Sequence, residues 1–151
     1  MFRTTKDEDD GGNFKYFPYK AKTYVYPDTM DNIIKQWHSI DAVWNEMERL
    51  SSTIRSKKYD RVAILRSDVL YLEPINVYDQ QHRYNTAVIP DFANHPVSDR
   101  MFIGPYNAVK IWATQRFALV EHQVQTYKPK GFGVHYERMM SHSILPKMEE
   151  E

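Results

Sequence analysis

Residues 59–71 read Tyr59-Asp60-Arg61-Val62-Ala63-Ile64-Leu65-Arg66-Ser67-Asp68-Val69-Leu70-Tyr71. The apolar run Val62 to Leu65 stops abruptly at Arg66-Ser67-Asp68. A short aliphatic run with polar flanks predicts a strand buried on both faces, the kind found in parallel or mixed sheets. In α/β sheets ligands bind just beyond the carboxyl ends of such strands. An arginine and a carboxylate at that point suit a metal ion or a phosphate. Taken alone, the segment favours the plainer alternative, a structural ion pair at a strand end.

Working outward, the stretch before this strand carries the clearest helical signal. Ile33, Trp37, Ile40, Trp44, Met47, Leu50 and Ile54 recur at three- and four-residue steps and form one apolar stripe. A helix near 31–56 follows, or two helices if Ser39 and Asp41 cap a break. Helix, tight turn and strand make an αβ unit. Downstream, Thr86-Ala87-Val88-Ile89 predicts a strand stopped by Pro90. A second amphipathic helix, near 105–124, opens at Pro105 and buries Tyr106, Val109, Trp112, Ala113, Phe117 and Val120. His135 to Leu145 predicts a short helix stopped at Pro146. The fold class is therefore α/β, a mixed and mainly parallel sheet flanked by helices. Residues 1–12, with the acidic run 7–12, are expected to be a flexible tail, 13–146 a single domain and 147–151 a frayed end. Upstream, Phe14, Tyr16, Phe17, Tyr19, Tyr24 and Tyr26 mark aromatic-rich extended chain, with a short strand at Thr23-Tyr24-Val25-Tyr26.

Composition narrows the partners. Twenty basic and twenty acidic residues cancel, so there is no electrostatic footprint for nucleic acid. The chain has no cysteine, which removes thiolate catalysis and cysteine-ligated zinc. Its opening, Met1-Phe2-Arg3-Thr4-Thr5-Lys6, lacks the apolar stretch of a signal peptide. No apolar run approaches the ~20 residues of a membrane span. Aromatic residues make up 14% of the chain, which suits a cleft that stacks on ring-shaped ligands as well as a filled core.

Polar clusters stand at the ends of elements: Arg66-Ser67-Asp68, Ser98-Asp99-Arg100 and His135-Tyr136-Glu137. Their order, with Val88-Ile89-Pro90-Asp91 and Asp99-Arg100-Met101-Phe102-Ile103-Gly104 between them, resembles the nucleotide-sugar glycosyltransferases of the GT-A type. The resemblance covers residues 31–146. It implies a GT-A-like, Rossmann-related domain that moves a sugar from a nucleotide-sugar donor to a glycan or other hydroxyl acceptor. In that family an Asp-x-Asp motif holds Mn²⁺ or Mg²⁺ against the diphosphate. Asp68 matches its last carboxylate and would be the metal ligand, whereas Arg66 stands in place of the first aspartate. Asp99 matches the acceptor-side carboxylate and would be the catalytic base. Arg66, His135 and Glu137 would join Asp68 around the diphosphate. Ser98 departs from the commoner asparagine of the acceptor-side motif.

The family domain opens with a βαβ unit, and no apolar strand followed by a helix precedes residue 31. Either the first 30 residues replace that unit compactly, or the domain is incomplete at its N-terminus; the compartment is left open between the secretory pathway, by analogy alone, and the cytoplasm. The rival expectation is a degenerate, non-catalytic α/β module that binds a partner or carbohydrate. Either way the chemistry suits the residue types. Sugar transfer needs the developing charge on the diphosphate stabilised, and an inverting transfer also needs a base for the acceptor hydroxyl.

Overall fold

A computed structural model describes residues 8–9, 13–14, 28–55, 58–78, 85–91 and 97–150. The aromatic segment 15–27, with the strand expected at Thr23 to Tyr26, lies outside the described residues. In the acidic N-terminal region β1 (Glu8–Asp9) pairs antiparallel with β2 (Asn13–Phe14).

Helix α1 runs unbroken through Asp28–Leu50. Asp28 and Asp31 in its first turn favour the positive end of the helix dipole. The Ser39 hydroxyl donates to the Lys35 carbonyl at 2.8 Å, so this serine bonds back into the helix and caps no break. Met30, Ile33, Trp37 and Trp44 are buried along the stripe. The helix loosens into a π turn at Ser51–Arg55, where the Ser52 and Thr53 hydroxyls both donate to the Arg49 carbonyl.

Strand β3 (Arg61–Leu65) follows, and it pairs antiparallel with β4 (Met101–Pro105), Leu65 opposite Met101 and Arg61 opposite Pro105. On the other side of β4, Val88 bridges to Ile103, again antiparallel. The protein is thus mixed α/β with a small antiparallel sheet among the described residues, and the expected mainly parallel arrangement is not seen there. The physical reason is the connection. No helix crosses over between β3 and β4 among the described residues, and the chain returns beside the strand it left. β4 is also the more buried of these two strands, with Phe102, Ile103 and Gly104 enclosed, while Leu65 at the end of β3 is 44% exposed. Arg61 begins β3 buried, and its guanidinium donates to the carbonyls of Val77 and Thr86, tying the long connection to the sheet.

The second amphipathic segment forms two helices, α2 (Tyr106–Thr114) and α3 (Arg116–Tyr127), hinged at Gln115. The side chain of Arg116 folds back onto the carbonyls of Trp112 and Ala113 in the last turn of α2. α2 packs on α1, β3, β4 and α3, and so sits at the centre of the core. Phe102 stacks on Trp112 with ring centroids 5.4 Å apart, and Trp37 meets Phe117 edge-on at 5.8 Å.

After a left-handed turn at Gly131 (φ 84°), α4 (Tyr136–Met139) passes through a π turn at Met140–Ile144 into α5 (Leu145–Glu149). Pro146 therefore does not stop the helix. It lies in the first turn of α5, where a missing N–H costs little.

His142 in the π turn stacks on Tyr127 at 4.4 Å and meets Phe132 edge-on. Burial, with the charges of Arg138 and Lys130, holds its pKa below the ordinary 6.5. The folded state therefore favours neutral imidazole, and the unfolded chain takes up the proton first. His142 costs no stability above about pH 6.5, and stability falls as pH drops through 6.5 toward the lower folded value. Melting temperatures between pH 8 and pH 5 should show a steeper acid decline in the native protein than in His142→Phe. Equal slopes would remove His142 from the acid response.

Candidate functional site

The antiparallel register builds the site. Because Leu65 lies opposite Met101, the residues just past the end of β3 meet those just before β4. Arg66 and Asp99, thirty-three positions apart, become neighbours this way. The Arg66 amide donates to the Arg100 carbonyl at 3.1 Å, which extends the ladder by one bond. The Tyr71 hydroxyl sits over that junction. It accepts from the Arg66 amide at 3.2 Å and lies 3.1 Å from the Arg100 carbonyl oxygen.

The Arg66 side chain is the hub. Its Nε donates to Asp68 Oδ1 at 2.8 Å and its Nη2 to Asp68 Oδ2 at 2.5 Å, a bidentate fork. Its Nη1 donates to Asp99 Oδ2 at 2.9 Å. These contacts push the Arg66 pKa well above the ordinary guanidinium value, and the Asp68 bond contributes most. The same bond holds Asp68 below the usual carboxylate range. The two acids differ in exposure. The Asp68 side chain is 62% exposed and that of Asp99 only 8%. Asp99 Oδ2 also accepts from Gln36 Nε2 on α1 at 3.3 Å. Both bonds fall on Oδ2, and Oδ1 makes none among the described residues.

These groups line an open cleft of about 610 Å³. Arg66, Ser67, Asp68, Asp99, Arg100 and Gln36 give it a polar side, and Ile40, Val43, Ile64 and Leu65 an apolar one. Trp112 and Tyr136 also line it. The Trp112 indole Nε1 is buried with no acceptor among the described residues. Behind this ring stands Arg116, 4% exposed, with its guanidinium carbon 3.9 Å from the Trp112 ring centroid. Burial pushes Arg116 down to about 9, while the charge of Asp99 opposes that shift. Asp99 therefore faces the fields of two guanidinium groups, one bonded to it and one buried.

His135 and Glu137 behave differently. His135 Nδ1 lies 2.9 Å from Glu137 Oε2, and both side chains are largely buried at the start of α4. Neither is among the cleft's lining side chains, although Tyr136 between them is. The structure thus brings Arg66, Asp68 and Asp99 together and leaves the His135–Glu137 pair outside the cleft lining. Gln36, Tyr71, Trp112 and Arg116 join the site without having been singled out for it in the sequence. Arg116 follows Trp112 by four residues, but a charge at that spacing reads equally well as a solvated face.

The donor set does not fit a resident divalent cation as it stands. Both oxygens of Asp68 accept from Arg66, and a guanidinium occupies the space beside them. Among the described residues no group of three or more His, Asp or Glu side chains could hold a metal ion. No helix among the described residues is long and apolar enough to cross a membrane. Compared with protein-family models, with curated proteins and with solved structures, the chain matches none.

Proposed function

We propose that this chain is a sugar-transferase domain of GT-A-like type, which takes a nucleotide-sugar donor and a glycan or other hydroxyl acceptor. The observation that carries the reading is the guanidinium of Arg66 joining Asp68 and Asp99 in one open cleft. The motif resemblance points to the same residues. In the transfer, the bond between the anomeric carbon and the diphosphate oxygen breaks, and its electron pair leaves with the diphosphate. Arg66 stabilises that developing charge. The acceptor oxygen forms the new bond to the anomeric carbon. Its proton passes to Asp99, whose Oδ1 makes no other bond among the described residues. This assignment of Asp99 belongs to an inverting outcome.

One observation favours a second reading. Asp68 and Asp99 are both spent on Arg66, and a closed ion-pair triad is what a non-catalytic module binding a partner or carbohydrate would retain as a structural clamp. A donor screen separates the two. Release of nucleoside diphosphate is followed over a panel of nucleotide sugars with simple glycan acceptors. The transferase reading expects release from one donor class, with Asp99→Asn slower by about a hundredfold or more. A folded protein that releases no diphosphate from any donor would leave the clamp.

A further inference from the structure

Resting on the transferase reading, we infer that the cleft binds the diphosphate without a divalent cation, and that Asp68 is a placeholder for a phosphate on Arg66. The geometry has the asymmetry such an exchange needs. Arg66 carries two carboxylates on different nitrogens. Asp99, enclosed and also held by Gln36, fixes the Nη1 side of the guanidinium in the wall of the cleft. Asp68 sits in the turn after β3 with most of its side chain in water, and it covers the Nε/Nη2 edge. That edge is one of the two with which a planar guanidinium grips a carboxylate or a phosphate through two parallel bonds. An incoming phosphate oxygen pair therefore takes the place of the Asp68 carboxylate. The released carboxylate turns to solvent, while the anchor on Asp99 remains.

The charges agree. Arg66 and Arg100 line the cleft, and Arg116 is buried behind Trp112, against the carboxylates of Asp68 and Asp99. Once Asp68 turns away, the Nε/Nη2 edge of Arg66 is open to the cleft while Asp99 still answers Arg66 and the buried Arg116, a field suited to an anion. A dication placed on Asp68 would instead have to displace Arg66 or lie against it. Arg66 thus supplies the positive charge that a metal ion would otherwise bring to the leaving group.

The two roles of Asp68 predict opposite results for one substitution. If Asp68 holds a cation, Asp68→Asn weakens diphosphate binding. If Asp68 competes with phosphate for Arg66, Asp68→Asn strengthens it. Calorimetric titration of the whole chain with inorganic pyrophosphate, uridine diphosphate and guanosine diphosphate reads this directly, each in EDTA and then in Mn²⁺. The expected result is binding in EDTA, no more than about twofold tighter with Mn²⁺. Asp68→Asn should bind severalfold tighter than the native chain. Arg66→Gln should lose tenfold or more, roughly what one charge-assisted contact is worth, with Arg66→Lys recovering only part because it cannot fork. Thermal unfolding of each variant confirms that a folded protein was titrated. Pyrophosphate binding as well as the nucleotides do would place the whole affinity on the phosphates, and nucleotides binding more tightly would add a base contact to the same site. Binding that appears only with Mn²⁺ and vanishes in Asp68→Asn would overturn the inference, as would no binding of any of these anions. The transferase reading fails separately. Metal-free binding with no donor turned over leaves an anion site without that chemistry, whereas turnover that needs Mn²⁺ and Asp68 keeps the transferase and removes the placeholder.

Discussion

Replacing Trp112 with alanine should lower the unfolding free energy by about 3–5 kcal/mol, the usual loss for removing a buried large aromatic side chain. Trp112 is 1% exposed. It stacks on Phe102 in the central strand, and the buried guanidinium of Arg116 rests against its ring. The substitution therefore opens a cavity beneath the cleft and also takes away the surface that makes burial of Arg116 tolerable. Urea denaturation of the variant and the native chain gives the difference. Leu70→Ala is the comparison, since Leu70 is 83% exposed and its loss should fall within about 0.5 kcal/mol of neutral. A loss below about 1 kcal/mol at Trp112 would mean that the core does not centre on α2.

Asp99→Ala should have the next largest effect, and on two readouts at once. It removes both bonds on Oδ2 and leaves two guanidinium groups without their enclosed counter-charge. Breaking a fully buried ion pair typically costs about 3–5 kcal/mol. Arg66 is partly solvated and keeps Asp68, so about 2–3 kcal/mol is the fitting expectation here. Asp99→Asn preserves the shape and an oxygen acceptor and should lose less stability. In the transferase reading it should still lose about a hundredfold or more in turnover, because an amide takes no proton. Equal turnover by Asp99→Asn and the native chain would remove Asp99 as the base while leaving its structural role.

The stripe of α1 and the end of β3 were legible in the sequence for plain physical reasons. Apolar residues at three- and four-residue steps have one helical solution, and an aliphatic run cut off by Arg66-Ser67-Asp68 marks where a strand leaves the core. The pairing was not legible. Met101–Pro105 carries a glycine and a proline, which look like a connector, yet it is the central strand. Gly104 fits there because a side chain would press on Ala87, whose Cβ would stand 3.1 Å from the added carbon. The expectation of ligand binding past parallel strand ends thus placed Arg66 at the cleft by the wrong route, since an antiparallel register brings Asp99 to it. Arg116 was hidden because a charge beside an amphipathic stripe resembles a solvated face. Only the fold shows that the α2–α3 hinge turns it inward. His135 and Glu137 were visible as a polar pair, but two residues' separation brings their Nδ1 and Oε2 within 2.9 Å of each other away from the cleft lining, which no spacing rule distinguishes from a shared ligand.

The central claim is that the fork of Arg66 receives the diphosphate of a donor. A crystal structure of the chain grown with a nucleoside diphosphate in EDTA tests it most directly. The account predicts phosphate oxygens at about 2.7–2.9 Å from Arg66 Nε and Nη2, Asp68 turned to solvent, and the Arg66–Asp99 bond retained. A diphosphate seated elsewhere, with Arg66 still forked onto Asp68, would contradict it.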